Sequence, residues 1–83
     1  MRHARGTALD ELEPLLAELR SLPGLVEKSP GVFYRAGRAF LHFHEDPTGA
    51  HADVRLADDF DRFRVATKAE RAAFLRAVRS AVG

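Results

Sequence analysis

The sequence predicts an α+β domain with two layers, in which an N-terminal helix, an antiparallel β-meander of three to four strands and a C-terminal helix follow one another. Three observations support this order: leucines at helical spacing near the start, short alternating runs divided by tight turns in the middle, and a capped amphipathic segment at the end. Two helices are enough to cover only one face of such a sheet, so we expect the other face to lack a covering layer.

The first helix is indicated by leucines that share one helical face: Leu9, Leu12, Leu15, Leu16, Leu19 and Leu22. Asp10 and Glu13 have the spacing of a capping box, which predicts a start near Glu11. Pro14 then lies close to the first turn, where its missing amide proton costs least. Residues 1–6 are basic and show no pattern, and we expect them to be disordered.

The last helix begins at the sequence Thr-Lys-Ala-Glu over residues 67–70, a capping box of the usual kind. It is predicted to run from about Lys68 to Ala81, with an apolar stripe that includes Phe74 and Val78. A chain of 83 residues has room for one small core, so residues 1–83 are interpreted as a single domain.

In the middle of the chain apolar and polar residues alternate, as they do in β-strands. Strands are predicted at 32–35, 38–45, 51–56 and 62–66, with 25–27 as a candidate for a further short one. Ala36-Gly37 has the length of a tight hairpin loop, and the run from Asp46 to Gly49 has proline and glycine where a turn accepts them.

These two turns predict which side chains share a face, because directly opposed residues point to the same side of a sheet. The core side receives Val32, Tyr34, Ala39, Leu41, Phe43, Ala52, Val54 and Leu56. The other side, called the outer face from here on, receives Phe33, Arg35, Arg38, Phe40, His42, His44, His51, Asp53 and Arg55. Shifting the second hairpin by one residue would turn Asp53 and Arg55 inward, so its register is well specified.

One interpretation of the outer face is a metal or acid/base site. His42 and His44 share a side on one strand, and His51 and Asp53 lie opposite them on the next. Imidazole and carboxylate groups in such a cluster suit Zn²⁺ or another divalent ion, and a carboxylate can also orient an imidazole. A divalent metal ion is the only cofactor that the sequence suggests.

A second interpretation, which we favour, is an interaction module that homodimerises through the outer face. Its surface would consist of Phe33, Arg35, Arg38, Phe40 and Arg55. Aromatic residues and arginine are enriched at protein interfaces, and two-fold dimers are the commonest oligomers. A partner there would also add to the small core of so short a chain.

A third interpretation is nucleic-acid binding, because aromatic and basic side chains interleaved on a sheet can stack bases and follow a phosphate backbone. A net charge of +1 argues against a general nucleic-acid binder. The excess of arginine over lysine is what GC-rich codon usage would produce, so it weighs little by itself.

Composition excludes several other classes. The chain has no cysteine, which excludes disulfides and thiolate metal ligands, and no apolar run is long enough to span a bilayer, so we expect a cytoplasmic protein. None of the common nucleotide-binding, nucleophile-elbow or zinc-protease motifs occurs, which favours a binding protein over an enzyme.

Four short stretches resemble known bacterial families. Leu22-Pro23-Gly24, the strand-turn-strand Phe33-Tyr34-Arg35-Ala36-Gly37-Arg38-Ala39-Phe40 and the pair His42-Phe43-His44 are similar to the uncharacterised luciferase-domain family, as is Phe63-Arg64-Val65 before the last helix. The Leu-Pro-Gly and the F-x-x-x-G-R hairpin also resemble the MmcQ/YjbR-like family. The resemblance implies a helix–meander–helix architecture and brings no catalytic residue with it.

Overall fold

The computed structural model describes residues 2–3 and 10–82 of the chain. The two helices are α1 (Glu13–Arg20) and α2 (Lys68–Val82). The strands are β1 (Arg2–His3), β2 (Leu25–Ser29), β3 (Val32–Arg35), β4 (Arg38–Asp46), β5 (Gly49–Arg55) and β6 (Phe60–Arg64). Strands β2 to β6 form an antiparallel meander in chain order. The predicted α+β class is confirmed, with five strands in the meander instead of three or four.

Of the N-terminal residues 1–6, which the sequence predicts to be disordered, the structure describes only two. Arg2 and His3 form β1, which pairs with Glu45 and His44 near the end of β4. The other four lie outside the described residues, as does Leu9 of the predicted leucine stripe.

Helix α1 presents its leucines to the core, but it begins slightly later than predicted. Leu12 occupies the N-cap position without a side-chain cap, so the predicted capping box of Asp10 and Glu13 does not form. Pro14 lies in the first turn as expected. Leu12 and three following leucines of the stripe, Leu15, Leu16 and Leu19, are buried.

Helix α2 begins at the predicted capping box. The hydroxyl of Thr67 accepts a hydrogen bond from the amide of Glu70 at 3.1 Å. The Glu70 carboxylate accepts bonds from the amides of Thr67 and Ala66, each at 3.0 Å. These bonds satisfy amides that a helix start otherwise leaves unpaired, so they fix where α2 begins.

The register between β4 and β5 is the one predicted from the sequence. Leu41 pairs with Val54, His42 with Asp53, and His44 with His51. The closing loop is shorter than the predicted four residues, because Asp46 already pairs with Gly49. The Asp46 carboxylate accepts bonds from the amide and hydroxyl of Thr48, at 2.9 and 2.5 Å, which stabilise this tight turn.

The register between β3 and β4 is only partly the predicted one. Arg35 pairs with Arg38 and Tyr34 with Ala39, as expected, but Phe33 pairs with Leu41 because β4 carries one extra residue at this point. Phe40 is that extra residue. Phe33 and Phe40 are 1% and 3% exposed and belong to the hydrophobic core, so their predicted exposure on the outer face is wrong. Because Phe33 shares the core side with Leu41, Val32, Tyr34 and Ala39 lie on the outer face instead of the predicted core side. Arg35 and Arg38 lie on the core side at the end of the hairpin, where Arg35 pairs with Leu25, so their predicted place on the outer face is also wrong.

The core lies between the sheet and the two helices. Leu41, Phe43, Ala52 and Val54 of the central strands pack with the leucines of α1 and with Phe74 and Val78 of α2. This single layer of helices leaves the outer face without a covering element among the described residues. Neither described helix is long and apolar enough to cross a membrane.

Candidate functional site

Three neighbouring strands bring polar side chains into one row on the outer face. His42 of β4 pairs with Asp53 of β5, which in turn pairs with Arg62 of β6. Because directly paired residues point to the same side, these three side chains lie beside one another. His44 lies two residues beyond His42 and therefore joins the same face.

The two histidines converge on a single oxygen atom. The Oδ2 atom of Asp53 lies 2.9 Å from Nε2 of His44 and 3.6 Å from Nε2 of His42. One ligand atom from each of these residues lies within 4.8 Å of the other two. The imidazole rings meet edge to face, with centroids 4.4 Å apart. We call these three residues the histidine–aspartate cluster.

Arg62 holds the carboxylate of the cluster in place. Its Nε donates to Oδ1 of Asp53 at 2.8 Å and its Nη2 donates to Oδ2 at 3.0 Å. This two-point contact is the main reason that the pKa of Asp53 lies below its usual range, with His44 contributing in the same direction and burial opposing both. Asp53 is therefore an anion at neutral pH.

The cluster is largely shielded from solvent although neither described helix covers it. The side chains of His44 and Asp53 are 14% and 13% exposed, and that of His42 is 24% exposed. Part of the shielding comes from Phe60, whose ring contacts the ring of His42 with centroids 5.4 Å apart. Arg55 lies over the same Phe60 ring at 4.5 Å. Low exposure strengthens electrostatic interactions within the cluster.

His51, predicted as a member of this group, lies on the same face but belongs elsewhere. Its Nδ1 lies 3.9 Å from Oδ2 of Asp46 and, although this atom is buried, it has no hydrogen-bond partner among the described residues. The contacts His44–Asp53 and Asp46–His51 follow the same diagonal across β4 and β5. A twisted sheet brings one diagonal set of side chains together, and this places His51 next to Asp46 instead of the cluster.

The predicted interaction residues separate into two groups. Phe33 and Phe40 are part of the core, as described above. Arg35, Arg38 and Arg55 remain accessible to different degrees and line one cavity of about 290 Å³ at the turn between β3 and β4.

Sequence reasoning placed the last strand two residues too late, which left out Phe60, and it did not pair that strand with its neighbour, which left Arg62 unassigned. The observed strand begins at Phe60, so Arg62 pairs with Asp53 and Phe60 with Arg55. A basic residue and an aromatic residue at alternate positions, Phe60 and Arg62, were the signal that could have extended the strand.

The donor set of the cluster fits a divalent transition-metal ion. Tetrahedral zinc sites have metal–ligand distances of about 2.0–2.2 Å, which place the ligand atoms roughly 3.3 Å from one another. The distances from Oδ2 of Asp53 to Nε2 of His44 and of His42, 2.9 and 3.6 Å, lie on either side of that value, and the whole set of ligand atoms lies within 4.8 Å. Two imidazoles and a carboxylate also suit Fe²⁺.

Comparison of the chain with protein-family models, with curated proteins and with solved structures finds no match, and the two family resemblances therefore stay predictions.

Proposed function

We propose that this protein binds one divalent transition-metal ion, such as Zn²⁺, through Nε2 of His42, Nε2 of His44 and Oδ2 of Asp53. The convergence of one ligand atom from each of these three residues within 4.8 Å carries the proposal. Three ligands from the protein leave a fourth tetrahedral position for water or an incoming ligand, as in catalytic zinc sites.

Metal binding would replace an existing hydrogen bond instead of filling an empty space. Nε2 of His44 and Oδ2 of Asp53 are 2.9 Å apart, so a proton lies between them when the cluster is metal-free. An ion could bind Nε2 only in the neutral tautomer of His44 that carries its proton on Nδ1, so the proton of this hydrogen bond would move to Nδ1, and a protonated imidazole would have to release one proton. Binding therefore depends on pH and favours neutral over acidic solution.

Arg62 has two opposite effects on such a site. Its contact with Oδ1 orients the carboxylate, which is a common role of residues that surround metal ligands. Its second contact, to Oδ2, competes with the metal for the oxygen that faces the histidines. The side chain of Arg62 is 49% exposed and can move off Oδ2 while it stays bound to Oδ1.

The test uses protein without a histidine tag, stripped with EDTA and titrated with Zn²⁺ by calorimetry. We expect one equivalent to bind. His42→Gln and His44→Gln should each lower the affinity by about 100-fold or more, because each removes one of three ligands. His51→Gln is the matched control, since His51 lies on the same face with a similar exposure of 15% but outside the cluster.

Two readouts separate loss of the site from loss of the fold. Far-UV circular dichroism should be the same for all variants, and Co²⁺ should give visible absorption bands of a tetrahedral site that disappear in His44→Gln. The proposal is wrong if wild-type protein binds no zinc, or if His51→Gln weakens binding as much as the two cluster variants do.

A further inference from the structure

Three arginines line the cavity at the turn between β3 and β4, and none of its lining residues belongs to the histidine–aspartate cluster. Its lining combines these arginines with small and apolar residues: Arg35, Ala36, Arg38, Ala39, Phe40, Arg55, Leu56 and Ala57. No carboxylate belongs to this lining. A concave site with only positive charge attracts anions.

Arg35 and Arg38 form a like-charge pair in the hairpin. They are directly opposed across the two-residue turn, a placement that is unfavourable for two residues of the same sign. Within the described part of the chain, neither arginine makes an ion pair or a hydrogen bond with a side-chain acid. An anion lying between them would convert their repulsion into attraction.

Arg55 is already positioned for the same ligand. Its Nε donates to the carbonyl of Ala39 at 3.2 Å, and its Nη1 donates to the carbonyl of Asp58 at 3.4 Å. Stacking on Phe60 fixes the plane of the guanidinium group. A guanidinium has five N–H donors, so three remain for a ligand. Little side-chain freedom would be lost on binding, which favours affinity.

From this geometry we infer that the cavity binds the phosphate group of a small phosphate-bearing molecule, with Arg35, Arg38 and Arg55 as its anion ligands. Arginine matches the tetrahedral phosphate oxygens with paired N–H donors. The volume of about 290 Å³ lies at the lower end of small-molecule pockets, which suits a phosphate with a small attached group. Phe40 and Leu56 supply an apolar wall for that group.

The test is a titration of ¹⁵N-labelled protein with inorganic phosphate at low salt, with EDTA present so that the proposed metal site stays empty. We expect saturable shifts of the amides around the β3–β4 turn. Arg35→Gln and Arg38→Gln should each weaken binding about tenfold, the effect of losing one charge-assisted hydrogen bond. Arg76→Gln, which removes an exposed arginine of α2, is the matched control.

The outcomes are distinct. Removing either member of the like-charge pair should leave the free energy of unfolding unchanged or raise it, so misfolding does not confound the variants. Equal weakening by Arg76→Gln would show a general charge effect and would overturn the inference. The absence of saturable amide shifts with inorganic phosphate would also overturn the inference. This holds even if a fluorescent single-stranded DNA binds, since that result would indicate nucleic-acid binding instead of a small phosphate site.

Discussion

Replacing Arg62 by glutamine should change stability and metal affinity in opposite directions. Arg62 donates two hydrogen bonds to the Asp53 carboxylate, at 2.8 and 3.0 Å. Hydrogen bonds to charged groups contribute about 1.5–3 kcal/mol when well shielded, but Arg62 is 49% exposed, so solvent screening reduces this. We expect Arg62→Gln to lower the free energy of unfolding of the metal-free protein, by less than the loss of a well-shielded hydrogen bond would.

The same substitution should strengthen metal binding. An ion bound to Oδ2 at about 2 Å would lie roughly 5 Å or less from Nη2 of Arg62, which is itself 3.0 Å from that oxygen. Repulsion between one and two positive charges at that distance amounts to about 1–2 kcal/mol in a water-like medium, or roughly tenfold in affinity. Asp53 stays ionised at pH 7 without Arg62, because an ordinary aspartate has a pKa of about 3.9.

Two measurements check this prediction: urea unfolding in EDTA followed by circular dichroism, and zinc titration by calorimetry. Arg64→Gln is the control, since Arg64 lies on the same strand and face with 50% exposure but contacts Glu70. Weaker zinc binding in Arg62→Gln would show that Arg62 mainly orients the ligand. Equal tightening in Arg64→Gln would show that only the net charge matters. Either result would refute the competition between Arg62 and the metal.

Three further predictions concern the hairpin, the acid stability and the oligomeric state. Ala36 has a φ of 52° next to Gly37 at 78°, so Ala36→Gly should stabilise the protein by about 0.5–1 kcal/mol in urea unfolding, whereas Gly37→Ala should destabilise it. The pKa of Glu27 is lowered mainly by its hydrogen bonds from Arg20. The ionised Glu27 therefore stabilises the fold above the ordinary glutamate pKa of about 4.3, and this stabilisation is lost as the pH falls below that pKa. The stability difference between wild type and Glu27→Gln should therefore shrink below about pH 4, and a constant difference from pH 3 to 7 would contradict this assignment. Homodimerisation through the outer face also stays a prediction: light scattering should show a dimer that Phe60→Ser weakens, and a monomer at high protein concentration would exclude it.

The part of the site that the sequence could predict is the part determined by the burial of alternate residues. Burial of the apolar side chains of Leu41, Phe43 and Val54 places them on the core side of the sheet. Because neighbouring residues on a strand point to opposite faces, this alone places His42, His44 and Asp53 on the other face. The pairing of β4 with β5 could therefore be derived from the order of the residues, without any knowledge of contacts.

Two local features could not be derived in that way. A bulge changes the parity of a strand at one residue, and the burial of both Phe33 and Phe40 depends on the bulge at Phe40. The position of His51 depends on sheet twist, which brings a side chain close to only one of its two diagonal neighbours on the facing strand. The order of the residues does not show which of the two neighbours that is. The wrong face for Phe33 and Phe40 and the wrong neighbour for His51 both result from the three-dimensional shape of the sheet. Helices and strands could be assigned because they depend on the periodicity of the sequence.

The histidine–aspartate cluster and the arginine cavity have opposite charge preferences and are connected by one aromatic ring. Phe60 contacts His42 of the histidine–aspartate cluster on one side and the guanidinium of Arg55 on the other. A cation at the cluster and a phosphate at the arginine cavity would attract each other, so occupation of either site should favour occupation of the other. The two sites nevertheless use different ligand residues, because the cluster takes its atoms from histidine and aspartate and the cavity takes its atoms from arginine. Variants of one site can therefore leave the ligands of the other intact, and this makes any coupling between them measurable.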